Sequence, residues 1–279
     1  METSGSRESH HAMRLIQRAA VMQTVSRCDS EYARNLSSLV IVALATIIVV
    51  LASRKRKRGW FRSILIFLVT LVLGFYLLSV AALAAFRWVN PPTTMVQTQR
   101  RVEAWLAHKP YAKRQHWVPL NRIAPDLQHA VISAEDGRFF QHHGIDWKEV
   151  QKVVDQDMEE RRLGRGGSTI TQQLVKNLFF TTSRSVVRKA VEFTLAPAAD
   201  WILPKKRVLE IYLNTIEWGP GIFGADAAAQ AWYGIPAARL NREQAARLAA
   251  VIPSPLRRKP VRMNTYAAEI LHRMNQTGW

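Results

Sequence analysis

The chain has 279 residues, a formal net charge of +18 and a single cysteine, Cys28. That length holds one or two domains, and one cysteine excludes a disulfide framework. The charge is divided unevenly: residues 1–86 carry 11 Lys/Arg against 4 Asp/Glu, a net +7, and residues 87–279 carry 28 against 17, a net +11. Such a balance suits anionic lipid, a phosphate-bearing substrate or nucleic acid.

Residues 1–35 read as a disordered polar tail. The uncharged run Leu36–Ala52 follows, at 17 residues the short limit of a membrane span. A basic segment, residues 53–63, contains Arg54-Lys55-Arg56-Lys57-Arg58 and Arg62. The second uncharged run, Ile64–Phe86, has 23 residues; as a helix it reaches roughly 35 Å, enough to cross a hydrocarbon core of about 30 Å. Clusters of Lys and Arg stay cytoplasmic, and Trp60, Phe61 and Trp88 suit the two interfaces. The expected arrangement is one membrane-spanning helix, with 36–52 as a candidate second, and residues 87–279 as an extracytoplasmic domain on the periplasmic side of the inner membrane. A signal peptide cleaved at Ala82-Leu83-Ala84 is the alternative, but its apolar region is normally shorter, about 7–15 residues. This topology, with basic residues dispersed rather than striped, argues against a nucleic-acid partner.

Asn90-Pro91-Pro92 ends the membrane segment, and residues 93–118 read as mixed chain near the membrane surface. Pro125 at N1 and Asp126 in the first turn open a helix with Leu127, Val131 and Ala134 as its buried stripe, ending near Gly137. After a polar loop at Leu163-Gly164-Arg165-Gly166-Gly167, Ser168 is the expected N-cap of a helix running to about Phe180. Helices are expected over Thr182–Trp201, Pro204–Ile216 and Ala225–Tyr233. Asn241 and Gln244 form a capping box opening Arg242–Val251, and Pro253, Pro255 and Pro260 break the chain. No alternating strand pattern of useful length is present, so the domain is expected to be mainly α with at most a small hairpin.

Four clusters carry chemistry. Glu135-Asp136 closes the first of these helices, and adjacent helical side chains diverge by about 100°, so one carboxylate can face a cleft while the other supports the fold. Nearby His142-His143 diverge likewise and lack an evident third metal ligand. The second cluster is Gly166-Gly167-Ser168-Thr169-Ile170-Thr171-Gln172-Gln173-Leu174-Val175-Lys176-Asn177: a glycine-led helix N-terminus offers free N–H groups to an anion, and Ser168, Gln172 and Lys176 share one face by spacing. Third come Arg184, Arg188, Lys189 and Glu192, where Arg188 and Glu192 also fit an ordinary intrahelical ion pair. The fourth runs from Lys205 through Tyr212-Leu213-Asn214 to Gly219, Gly221 and Gly224.

In this order the clusters resemble the signature blocks of glycosyltransferase family 51, the peptidoglycan glycosyltransferases. Glu135, Asp136, Phe139, His142 and Gly144 match E-D-x-x-F-x-x-H-x-G. Residues 166–177 match G-x-S-T-I-T-Q-Q-L-x-K-N, and Arg188, Lys189 and Glu192 match R-K-x-x-E. The resemblance spans about residues 95–275; with no penicillin-binding transpeptidase domain after Trp279, it is to the monofunctional members. It implies a lysozyme-like helical catalytic domain and transfer of a growing glycan from undecaprenyl pyrophosphate to the 4-hydroxyl of lipid II. It further implies Glu135 as general base, Lys176 as leaving-group stabiliser and Glu192 as the second important glutamate. Asp136, His142, Ser168, Thr169, Gln172, Gln173, Asn177, Arg184, Arg188 and Lys189 are the expected substrate-binding set. A divalent ion, Mg or Mn, bridging the pyrophosphate is the one cofactor considered, with no certain protein ligand. The implied partners are lipid II, the polyprenyl-linked glycan, the membrane and other cell-division or cell-wall synthesis proteins.

Overall fold

The computed structural model of the chain describes residues 60–160, 167–183 and 185–279. The expectations for the 1–35 tail, the 36–52 run, most of the basic segment, Gly166 and Arg184 therefore lie outside the described residues.

The first described helix, α1, is Trp60–Phe86, 27 residues whose most apolar window has a mean hydropathy of 2.7. It starts four residues before the uncharged run and ends with it. Ser79 and Leu83 are its buried residues. Beyond the paired prolines, residues 93–118 are more ordered than expected. Thr94 accepts the N–H of Gln97 and starts α2, Met95–Leu106, as its N-cap.

The rest is a helical domain in two packed groups. In one, α3 (Pro125–Glu135) packs against α9 (Arg242–Ala249) and α10 (Asn264–Gln276), which also touch each other. In the other, α5 (Ile170–Phe179) packs against both α6 (Val186–Ile202) and α7 (Lys205–Thr215). Helix α4 (Trp147–Glu160) lies between α3 and α5 in sequence, and α8 (Ala225–Tyr233) follows the small sheet. The mainly α expectation holds. Pro125 does occupy N1 of α3, Asp126 lies in its first turn, and Leu127 and Val131 are buried. The Asn241–Gln244 capping box is formed. Helices α4 and α10 were not anticipated.

Two local expectations are corrected. Thr169, not Ser168, caps α5: its hydroxyl accepts the N–H of Gln172, and the Gln172 side chain accepts the N–H of Thr169 in return. The reciprocal box satisfies two donors at once, which a Ser168 cap one residue earlier would not. The sheet also exceeds a hairpin. Strand β2 (Glu217–Gly219) pairs antiparallel with β3 (Ile222–Phe223), and β1 (Arg114–Gln115) adds to β3 in parallel, with Arg114 opposite Ile222. Asn214, fully buried, staples this region by accepting from the N–H of Val118 and donating to its carbonyl, each at 2.9 Å.

Gly144 joins the two halves of the site scaffold. Its φ is +79°, and a Cβ placed there would stand 2.6 Å from the Ala196 carbonyl oxygen of α6. Its own carbonyl accepts the Thr169 hydroxyl at 2.5 Å, at the start of α5. Gly144→Ala should therefore cost at least about 2 kcal/mol, from left-handed strain and the backbone clash together, and lower the thermal midpoint by roughly 4–8 °C. Circular dichroism melting of the purified chain checks this; an unchanged midpoint would show that the contact is not tight.

Candidate active site

Helix α3 ends on Glu135, with Asp136 as its C-cap, and the two carboxylates part as expected. Asp136 turns inward. It accepts from His142 Nε2 at 2.9 and 3.0 Å and from the backbone N–H of Ile170 at 3.0 Å, the first residue of α5. A carboxylate at a helix N-terminus meets free N–H groups and the positive end of the helix dipole. Asp136 thus fixes the end of α3 to the start of α5.

Glu135 faces the other way, toward Gln173 in the second turn of α5. Gln173 Nε2 donates to Glu135 Oε2 at 2.6 Å, and Gln173 Oε1 accepts from the Tyr212 hydroxyl at 2.8 Å. The buried Tyr212 phenol is held well above its ordinary pKa by desolvation and by Glu135 and Asp136. It therefore remains a donor, and this dictates which end of the amide faces Glu135. Desolvation raises the pKa of Glu135, while the Gln173 hydrogen bond and the charges of Lys176 and Arg258 oppose the rise.

Lys176 lies one turn beyond Gln173 on α5. Burial lowers the pKa of its ammonium; Glu192 and Glu135 pull it up, and Arg188 and Lys189 push it down. Glu135 and Lys176 act on each other's charge and are therefore neighbours, and the groove is the region that they share with α6. Among the described residues, Lys176 Nζ makes no hydrogen bond or ion pair. Opposite stands α6, started by Ser185. Its Glu192, 2% exposed, is 3.1 Å from Arg188 Nε and 3.4 Å from Lys189 Nζ. Arg188 also donates to the Thr181 carbonyl at 3.0 Å, and Lys189 to Ser168 Oγ at 2.8 Å. The Arg188–Glu192 pair is thus the buried hub of a cation cluster rather than a solvated surface pair.

The expected substrate-binding set divides. Ser168, Gln173, Arg188 and Lys189 are half-buried, and they contact Glu135, Glu192 or, for Ser168, Lys189. Asp136, His142, Thr169, Gln172 and Asn177 are buried, and each has partners within the protein; Asn177, for example, donates to the Gln173 carbonyl at 2.8 Å. The expected Ser168–Gln172–Lys176 stripe does not form. Ser168 precedes α5 and Gln172 is spent on the cap, so Gln173 and Lys176 face the groove instead. Sequence reasoning also missed Arg258, whose charge reaches Glu135 and whose guanidinium lies 5.2 Å over the Tyr266 ring. It follows a run of prolines with no periodicity to mark it. Tyr212 lay within a recognised block but gave no sign of its link to Gln173.

For a cation, the structure brings Asp146 to Asp136 and His142, with ligand atoms within 4.8 Å of one another. His143 diverges from His142 and stands 3.6 Å from Asp200. Three of the four carboxylate oxygens in this set are already engaged by protein donors, which fits a metal poorly, while His142 Nδ1 is buried without a partner. Asp146 Oδ1 is 3.1 Å from Arg138 Nη2 and accepts the Glu149 N–H, while Asp136 serves His142 and Ile170.

A desolvated carboxylate facing a group of cations can take a proton from a hydroxyl and steady an anionic leaving group. Comparison with known proteins identifies the family. The family described as Transglycosylase matches residues 101–277. A biosynthetic peptidoglycan transglycosylase of Chromohalobacter salexigens is 42% identical over 225 residues, 79% of this chain and 96% of its own. That of Ectopseudomonas mendocina is 42% identical over 214 residues, covering 75% and 88%, and that of a Janthinobacterium species 43% over 194 residues, covering 67% and 84%. The match takes in α3, α5 and α6 with every groove residue described above, and on that ground the chain belongs to the transglycosylase family.

Proposed function

We propose that the protein is a peptidoglycan glycosyltransferase that lengthens glycan strands from lipid II, in keeping with the names its relatives carry. The acceptor's 4-hydroxyl gives its proton to Glu135, and its oxygen attacks C1 of the growing glycan. The bond from C1 to the diphosphate oxygen breaks, and undecaprenyl diphosphate leaves with the bonding pair. An α-linked donor then gives a β-1,4 product, with inversion.

The observation that carries this reading is the environment of Glu135. A hydroxyl is a poor nucleophile and needs a base in reach. Gln173 holds Oε2, which leaves Oε1 for the proton, and burial makes the carboxylate more basic than an exposed one. The departing diphosphate needs no proton but does need positive charge where its own charge develops. Lys176, Arg188 and Lys189 supply it, with Arg184 as a further candidate from the adjoining segment. Glu192 holds Arg188 and Lys189 in place and takes no proton. A lytic enzyme cleaving finished glycan would have little use for such a cluster, and this favours synthesis.

The apolar helix α1 serves as membrane anchor in this reading, with residues 87–279 on the extracytoplasmic side and the Arg54–Arg58 cluster in the cytoplasm. Full burial of Leu83 supports an uncleaved helix. Partner proteins of cell-wall synthesis or division would meet the chain at the membrane.

Three outcomes are expected in a lipid II polymerisation assay with the full chain in detergent. Glu135→Gln abolishes strand formation while donor binding persists; normal turnover would remove Glu135 as the base. Lys176→Ala lowers kcat by about 100-fold or more, the usual loss for one electrostatic stabiliser, and an effect confined to KM would count against leaving-group stabilisation. The pH profile adds a signed test. Glu135 must be ionised to act, so activity falls as pH drops through its raised pKa. The Gln173 hydrogen bond lowers that pKa, hence Gln173→Ala should move the acid limb of kcat/KM to higher pH. A limb that stays put, or moves down, would separate Glu135 from the ionisation that limits rate.

A further inference from the structure

The first turn of α2 borders a cavity that shares no lining residue with the groove. Its volume is about 160 Å³, well above the roughly 10–15 Å³ one ordered water requires on the same measure. Thr93, Gln97, Thr98 and Arg101 line it from α2 and its approach, and Tyr111 and Lys113 from the following loop. Every polar group on its wall is cationic, hydroxyl or amide, with no carboxylate among them.

The chemistry of this lining suits an anion. Arg101 makes no ion pair among the described residues, and Lys113 is pulled below its ordinary pKa by partial burial and by Arg101. The Tyr111 hydroxyl is buried without a hydrogen-bond partner, although buried hydroxyls nearly always have one. The carboxylate that Tyr111 senses, Glu217, is held by Arg100 through Oε2 at 3.0 Å and makes no hydrogen bond to the Tyr111 hydroxyl. The walls are also held in place. Gln97 Oε1 accepts from Lys113 Nζ at 3.2 Å and Gln97 Nε2 donates to Gln115 at 3.3 Å. The cavity lies at the N-terminal end of α2, where the helix dipole favours negative charge.

We propose that this cavity is a phosphate-binding site, filled by the headgroup of an anionic phospholipid or by free phosphate, with Arg101 and Lys113 as its cations and Tyr111 as its hydroxyl donor. The lipid source is suggested by chain position, because Pro92 stands six residues after the end of α1. The site also lies on a helix that touches the groove's flank: Gln99 of α2 exchanges hydrogen bonds of 2.7 and 2.8 Å with Thr182, just before α6. Phosphate binding here requires no catalysis, so its test stands apart from that of Glu135.

Two probes of the full chain separate the sources. In detergent, inorganic phosphate is titrated at constant ionic strength and followed by calorimetry. In nanodiscs of mixed phosphatidylcholine and phosphatidylglycerol, native mass spectrometry counts the lipid retained. Removing both cations, Arg101→Gln with Lys113→Gln, should weaken binding about 10- to 100-fold, as for lost charge-assisted hydrogen bonds. Tyr111→Phe should weaken it by about fivefold, an effect that a diffuse charged surface would not show. A control pair, Arg122→Gln with Arg262→Gln, removes equal charge from exposed positions outside the cavity and should bind like the original chain. Phosphate binding without lipid preference assigns the free anion; selective phosphatidylglycerol retention without phosphate binding assigns the headgroup; both support the site. It is overturned if neither probe binds, if the control pair weakens binding as much as the cavity pair, or if Tyr111→Phe binds unchanged.

Discussion

The groove depends on one buried contact, the carboxylate of Asp136 against the first N–H of α5, completed by His142. The contact joins the C-terminal end of one helix to the N-terminal end of another, where the carboxylate meets unpaired donors and a favourable dipole. It also settles the direction of the preceding residue. With Asp136 turned inward at the end of α3, Glu135 is left facing α5 one turn further along, at Gln173. The two neighbouring acids therefore have unlike duties. One is a structural clamp spent on protein donors, and the other keeps an oxygen free.

From that clamp the electrostatics of the groove follow along α5. Gln173 and Lys176 are one turn apart, so the helix carries the amide that orients Glu135 and the ammonium that faces it on the same side. Tyr212 of α7 fixes the amide from behind. Across the groove, Glu192 gathers Arg188 and Lys189, and without its buried charge these cations would repel one another and Lys176. A domain with a net charge of +11 over residues 87–279 has cations everywhere. What distinguishes this group is that a buried anion holds it in order.

Much of this was legible in the sequence, and what was not has physical reasons. Apolar length gave α1, and proline with an acidic first turn gave the start of α3. The Asn241–Gln244 pair gave the start of α9, because capping is local chemistry written within four residues. Thr169 and Ser168 offered the same hydroxyl one position apart, and only the reciprocal bond with Gln172 decides between them. Helix α10 was hidden behind Pro253, Pro255 and Pro260: prolines mark where a chain breaks and say nothing of where helix resumes. Its Ala267, Ile270 and Met274 do lie at helical spacing. Strand β1 is two residues long and pairs with a partner over a hundred positions away, which no local pattern can encode. The same holds for Arg258, whose relation to Glu135 exists only once α9 and α10 have packed on α3.

Burial of Glu135 and Lys176 is better explained by chemistry than by stability. Desolvation pushes the acid's pKa up and the base's pKa down, so near neutral pH each charged form is less favourable here than in water. Their attraction returns part of that cost, yet buried opposite charges are commonly no more stable than apolar residues of the same volume. The groove could have been closed with leucines. Instead it keeps a carboxylate with one uncommitted oxygen and an ammonium with no hydrogen-bond partner among the described residues. Groups held in that condition are short of a proton on one side and of an anion on the other, the two things that the hydroxyl and the diphosphate of the proposed reaction would bring.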